Sequence, residues 1–160
     1  KGIWMKDQQP VSLKVTVVIV TYNRAEMLKE ALESLTTQSR LPDEVLVVDN
    51  NSSDRTKAVA ESFRGRLNMS YVFEPVQGTS TARNTGIKHA QGDIIAYLDD
   101  DCIAEKDWLH YIEIPFLKDP AIGMVGGQIA DCRVKGTLVE DYCIASSLLN
   151  LKYVPKEEES

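Results

Sequence analysis

The sequence predicts an open, doubly wound α/β fold: a mostly parallel sheet flanked by helices. Three observations predict it. Short apolar, β-branched runs recur along the chain, as continuous stretches rather than alternating ones. Segments with helical apolar spacing separate them. Polar residues gather directly after each run. Continuous apolar strands alternating with helices are what a sheet buried on both faces requires. At 160 residues one domain is the expectation. Residues 1–13, without periodicity, read as an N-terminal arm, and 14–160 as the domain.

The first strand is expected over Val15–Val20. Ala25–Leu35 follows as a helix, because Met27, Leu28, Ala31, Leu32 and Leu35 recur on one face. Asn23 is placed to cap it, with Glu26 three residues on in a capping-box arrangement. Val45–Val48 is the second strand and Ser53–Phe63 the second helix, with Val59, Ala60 and Phe63 inward. Tyr71–Phe73 is a weaker third strand. A third helix runs from Thr81 to Ala90 and stops before Gly92. Ile94–Leu98 is the fourth strand. Trp108–Leu117 is helical, with Pro115 expected to kink or end it. Met124–Ile129 reads as a fifth strand weakened by Gly126 and Gly127, and Thr137–Leu149 as a poorly defined helix. The weak pattern after Ile129 gives the expectation that the chain stops before its natural domain does.

Composition excludes several classes. The net charge is −6, with no long basic stripe, so nucleic acid and anionic membrane are poor partners. The longest β-rich apolar run, Val17–Val20, is far short of a membrane span. Cys102, Cys132 and Cys143 form no Cys-x-x-Cys pair and lie far from His89 and His110, which argues against a zinc site or a disulfide framework. Reduced thiols suit a cytoplasmic protein, with peripheral membrane attachment left open.

In open α/β sheets, ligands bind outside the carboxyl ends of the strands. Here Thr21-Tyr22-Asn23-Arg24 follows the first strand and Asp49–Asp54 the second. Glu74-Pro75 and Gly78-Thr79-Ser80 follow the third, and Asp99-Asp100-Asp101 the fourth. All fall on one edge of the sheet and predict one shared, carboxylate-rich pocket. In extended backbone Asp99 and Asp101 point the same way and Asp100 the opposite way. Clustered like charges require a cation. A hard divalent ion, Mg²⁺ or Mn²⁺, fits oxygen ligands. The competing reading makes Asp101 a helix cap and leaves the others solvated.

Asp49, ending a hydrophobic strand, either accepts hydrogen bonds from a ribose or base or closes an Asx turn. Asp54 suits the start of the second helix. Arg83, near the start of the third, is either a phosphate ligand or a solvated side chain. His89 reads as structural or surface. No Gly-x-Ser-x-Gly elbow, P-loop or Gly-x-Gly-x-x-Gly is present.

The segments Val18–Arg24, Val47–Thr56, and Gly78…Ala82-Arg83-Asn84…Gly86…Gly92–Asp101 resemble family 2 glycosyltransferases of the GT-A fold, in order from Lys14 to Ile129. The resemblance implies a nucleotide-sugar donor, a Mn²⁺ or Mg²⁺ ion and inversion at the anomeric carbon. Carried over by position, Thr21 and Tyr22 line the base and ribose, Asp49 holds the base, typically uracil, and Arg83 approaches the nucleotide. Asp99 and Asp101 match the first and third positions of the Asp-x-Asp motif. Asp101 then ligates the metal, and Asp99 contacts ribose or metal. Asp100 completes the nucleotide set.

The acceptor, whether saccharide, lipid or protein, is not named by these residues, and neither is the general base. In the family that base lies well downstream of the Asp-x-Asp motif, and Glu140-Asp141 arrives early for it. Cys102 replaces an acidic residue often found there, and no Gln-x-x-Arg-Trp motif occurs. Two other functions stay open: a binding module without catalysis, and a phosphoryl-handling α/β domain, for which the acidic run sits on the wrong strand.

Overall fold

The computed structural model describes residues 12–127. They fall into two units, ending and beginning at Lys106 and Asp107. The first holds β1 (Val15–Thr21), α1 (Ala25–Thr36), β2 (Glu44–Asp49), α2 (Thr56–Ser62), β3 (Met69–Phe73), α3 (Thr79–His89) and β4 (Ile94–Tyr97). All strand pairings are parallel, in the order β3-β2-β1-β4. The doubly wound α/β expectation therefore holds. The second unit contributes α4 (Trp108–Lys118), followed by residues 119–127 without regular structure.

Topology fixes where a site can form. From β1 the chain steps to β2 and β3 in one direction, then returns past β1 to add β4 on its other side. Right-handed crossovers then put α1 and α2 on one face of the sheet and α3 on the other. The winding reverses between β1 and β4, and the crevice at the carboxyl ends of those two strands is the switch point.

Both faces are packed. On the α3 face, Val18, Leu46, Val48 and Ala82 form a buried cluster joined by Val20, Val72, Ala90 and Ile95. The alternate residues Val17, Ile19, Val45 and Val47 are fully buried. Gly86 lets α3 approach closely, since a Cβ there would stand 2.6 Å from Val18 Cγ1. Leu28, Leu32 and Leu35 of α1 are fully buried. Each contributes about 2 kcal/mol by removing its apolar surface from water.

Several expectations are corrected. Met27 is 37% exposed, off the buried stripe of α1. Asn23 does not cap α1: it adopts φ 53°, and no side chain of the N-cap residue, Arg24, bonds the helix end. The donor at that end is satisfied from another loop, by Asp54 Oδ2 accepting from Ala25 N–H at 3.0 Å. Helix α2 is shorter than expected, α3 starts two residues earlier, and β3 begins at Met69. Helix α4 runs through Pro115 to Lys118 rather than ending there. No strand forms over 124–127, where Met124 is 86% exposed. Gly126 and Gly127 carry no side chain to pack and weaken any strand. The remainder of the expected fifth strand, the 137–149 helix, Glu140-Asp141, Cys132, Cys143 and most of the N-terminal arm lie outside the described residues. No helix among the described residues is long and apolar enough to cross a membrane.

Asp54 carries more than the expected single cap. Its Oδ1 also accepts from Thr56 N–H at 2.9 Å and Thr56 Oγ1 at 2.5 Å. Partial burial opposes ionisation, but the bonds from Thr56 and Ala25 outweigh it and hold the carboxyl below its ordinary range. Asp54→Ala uncaps two helices at once, and a loss of about 2 kcal/mol is expected in urea denaturation at neutral pH. The folded value is depressed, so this stability is present above the unfolded value of about 3.9 and fades as pH falls through the folded one. The variant and its parent therefore converge in acid.

Candidate active site

The site is built from loops that hold one another. Asn50 N–H continues the ladder to Thr21 C=O at 2.9 Å. Beyond it, Asn23 N–H donates to Ser52 Oγ and Ser53 N–H to Asn23 Oδ1, both at 2.8 Å. The left-handed conformations of Asn23 and Asn51, φ 53° and 69°, suit asparagine. The buried Asn50 amide reaches the third loop. Its Nδ2 donates to Val76 C=O at 2.8 Å and its Oδ1 accepts from Gly78 N–H at 2.8 Å. Gly78, at φ 147°, turns the chain into α3 as few other residues can. Glu74 ties that loop to α3 by accepting from Thr85 Oγ1 at 2.6 Å, a bond that holds its carboxyl below the usual range.

These loops surround a hollow of about 380 Å³ at the switch point. Its lining includes Thr21, Tyr22, Arg24, Asn50, Thr79 and Arg83, together with Asp99, Asp100 and Asp101. The expected convergence of distant polar loops is therefore present for the first, second and fourth strands and for the start of α3.

The acidic run reaches the hollow by a route the alternation argument misses. The strand ends at Tyr97, and Asp100 and Asp101 lie in a turn closed by Cys102 N–H donating to Asp99 C=O at 3.0 Å. The turn puts Asp100 with its neighbours instead of opposite them. Arg24 Nη1 bonds both Asp100 Oδ1 and Asp101 Oδ2 at 3.2 Å. Arg83 Nη2 bonds Asp99 Oδ1 at 3.2 Å. Asp100, ahead of Asp101, holds the Arg24 guanidinium in its charged form. Ligand atoms of Asp99, Asp101 and Cys102 lie within 4.8 Å of one another. A pair of carboxylates with water-accessible faces fits a hard divalent ion such as Mg²⁺ or Mn²⁺, whereas the neighbouring Cys102 sulfur is a soft donor that such ions do not select.

Thr21 is the second pointer to a ligand. It is 2% exposed, lines the hollow, and its hydroxyl has no hydrogen-bond partner among the described residues. A buried polar atom left unsatisfied costs free energy, which a ligand group reaching it would recover. Tyr22, 47% exposed on the rim, presents a ring on which a base can stack.

Asp49 stands apart from these. It is 2% exposed and is absent from the hollow's lining. Its Oδ1 accepts from Ser52 N–H, three residues on, at 2.9 Å, which fixes the loop, and its Oδ2 from Tyr71 O–H at 2.6 Å. Burial, then the bond to Asp49, pushes the Tyr71 phenol well above its ordinary value, so it remains a donor at neutral pH. His89 Nδ1 meets Thr85 C=O at 2.8 Å, in keeping with a structural role. Sequence reasoning gave no role to Arg24 or Asn50. Both sit in the polar runs after their strands, but their partners lie about 25 to 77 residues away, which spacing cannot show.

A parallel sheet with an acidic, hydroxyl-lined crevice at its switch point defines an open α/β domain of the GT-A type. Residues 16–153 match the description Glycosyl transferase family 2, and the chain belongs to that family. It is 38% identical over 119 residues to the glycosyltransferase AglE of Haloferax volcanii, covering 72% of this chain and 39% of that protein. Among solved structures, the Pyrobaculum calidifontis mannosyltransferase PcManGT in complex with GDP-Man and Mn²⁺ superposes with a TM-score of 0.65. Identity is 28%, over 80% of this chain and 40% of that one. Staphylococcus aureus TarS 1-349 in complex with UDP gives 0.63 at 26% identity, over 73% of this chain and 38% of that one. The chain thus spans about 40% of the length of these relatives.

Proposed function

We propose that this chain supplies the donor-binding part of a metal-dependent, inverting glycosyltransferase that moves a sugar from a nucleotide-sugar, UDP-linked, to an acceptor hydroxyl. The observation that carries the reading is the switch-point hollow, lined together by Asp99, Asp100, Asp101 and Thr21, whose buried hydroxyl has no partner among the described residues. Complexes of similar proteins with UDP, or with GDP-Man and Mn²⁺, support it.

In this reading Asp101 and Asp99 hold the metal, and Thr21 and Tyr22 receive the ribose and base. Arg83 approaches the diphosphate from the first turns of α3, where helix N–H groups add positive potential. Asp100 binds the nucleotide indirectly, by fixing Arg24. Asp49 reaches the base through the lone pairs left beside its Ser52 and Tyr71 bonds, which hold its loop in shape. The departing nucleoside diphosphate gains negative charge as the glycosidic bond breaks, and a divalent cation stabilises that charge. The acceptor hydroxyl requires a general base on the opposite face of the sugar, which the relatives' additional length leaves room for.

Titration calorimetry with UDP and GDP, each with and without Mn²⁺, tests the reading. Mn²⁺-dependent binding, tighter for UDP, is expected. Binding of equal strength with and without Mn²⁺, or none, contradicts the proposal; a preference for GDP reassigns the base alone.

A further inference from the structure

The mouth of the hollow holds three acidic and two basic side chains, and their pairing is uneven. Arg83 bonds Asp99. Arg24 spans two carboxylates from one nitrogen, Asp100 Oδ1 and Asp101 Oδ2, each at 3.2 Å. Those partners differ in setting: the Asp100 side chain is 8% exposed and that of Asp101 45%. Stripping the cation from a buried carboxylate costs far more than from an exposed one. Arg24 therefore has a fixed partner in Asp100 and an exchangeable one in Asp101.

The exchangeable partner is also one of the grouped metal-ligand candidates, with Asp99 and Cys102. A cation entering there must compete with the guanidinium for Asp101 and then sit beside a like charge. Arg24 itself is half exposed and lines the same hollow. Anchored on Asp100, its planar fork retains N–H donors that match phosphate oxygens in pairs.

We infer that Arg24 is a positioning residue that couples the two ligands of the donor site. In the empty protein it opposes metal binding at Asp101. Once a nucleoside diphosphate offers new acceptors, Arg24 turns to them and releases Asp101 to the cation. Metal and nucleotide then bind with positive cooperativity, each strengthening the other by the same factor. This inference rests on the donor-site reading above.

The test uses Mn²⁺ alone, followed by the electron paramagnetic resonance signal of the free ion, and then UDP alone and UDP with Mn²⁺ by calorimetry. Arg24→Gln, Arg24→Lys and Arg55→Gln are compared with the parent. Arg55 pairs with Glu26 at 2.7 Å on the exposed surface, so its variant controls for net charge. Arg24→Gln is expected to bind Mn²⁺ alone on the order of fivefold more tightly. It is expected to bind metal-free UDP about tenfold more weakly. A residue that only held the fold in place would weaken both. Arg24→Lys keeps a charge on Asp100 but loses the fork, and shows the same two changes in smaller measure. It carries the test should Arg24→Gln fail to fold by circular dichroism. Arg55→Gln leaves both affinities at the parent's values.

Unchanged or weaker Mn²⁺ affinity in a folded Arg24 variant, while the parent still binds UDP with Mn²⁺, overturns the inference and leaves the donor site standing. Absence of Mn²⁺-dependent UDP binding in the parent removes both.

Discussion

Asp101→Asn is expected to weaken Mn²⁺-dependent UDP binding by on the order of 100-fold, because a neutral amide replaces an ionised oxygen ligand. Its melting temperature should stay within roughly 2 °C of the parent's, since exposed ion pairs contribute little to stability. Asp101 is well exposed, and its bond to Arg24 is one of two that the guanidinium makes. The control is Asp93→Asn. Asp93 lies just before β4, at the opposite edge of the sheet, where its Oδ2 accepts from Lys14 N–H at 2.9 Å. That variant should bind as the parent does. Calorimetry on both, with thermal melts followed by circular dichroism, separates a lost ligand from a lost fold.

Tyr71→Phe is expected to give the largest loss of stability from the smallest change in shape. It deletes one oxygen and leaves Asp49 Oδ2, in a residue only 2% exposed, without its 2.6 Å donor. A buried acceptor stripped of its donor costs about 1–3 kcal/mol, and more when it is charged, so about 3 kcal/mol is the expected figure in urea denaturation. The measurement also bears on Asp49 itself. If the carboxylate serves only the loop, UDP affinity of the folded variant matches the parent's. If it reaches the base, freeing Oδ2 changes that affinity.

The sheet was legible because its cause is local. Val15–Val20, broken only by Thr16, and Val45–Val48 are apolar runs, and only a sheet covered on both faces buries all of them but the half-buried Val20. Helix α1 was legible from the spacing of Leu28, Leu32 and Leu35. Its cap was not, because the carboxylate that satisfies Ala25 N–H comes from Asp54, 29 residues on. Capping rules read neighbours in sequence, while this fold brings the first two loops side by side.

The site divides the same way. That Thr21, Tyr22, Arg83 and the acidic run share one edge follows from parallel strands alone, and the hollow contains all of them. Strand alternation misplaced Asp100, because the chain leaves extended geometry at Asp99 and turns. The pairing of Arg24 with Asp100 and Asp101 depends on β1 and β4 being neighbours, which only the strand order reveals. The burial of Asp49 behind Tyr71 depends likewise on the pairing of β2 with β3, which sets Val47 opposite Tyr71.

A crystal structure of this chain soaked with UDP and Mn²⁺, with the anomalous signal of manganese recorded, tests most directly whether these loops form one ligand site. The account predicts a single anomalous peak about 2.2 Å from carboxylate oxygens of Asp99 or Asp101, between the distances that Mg²⁺ and Ca²⁺ keep to oxygen. The diphosphate should touch the same ion, and a nucleoside oxygen or nitrogen should lie within hydrogen-bond reach of Thr21 Oγ1. A manganese peak away from this turn, or UDP seated elsewhere on the sheet with the Thr21 hydroxyl still unpartnered, would contradict it.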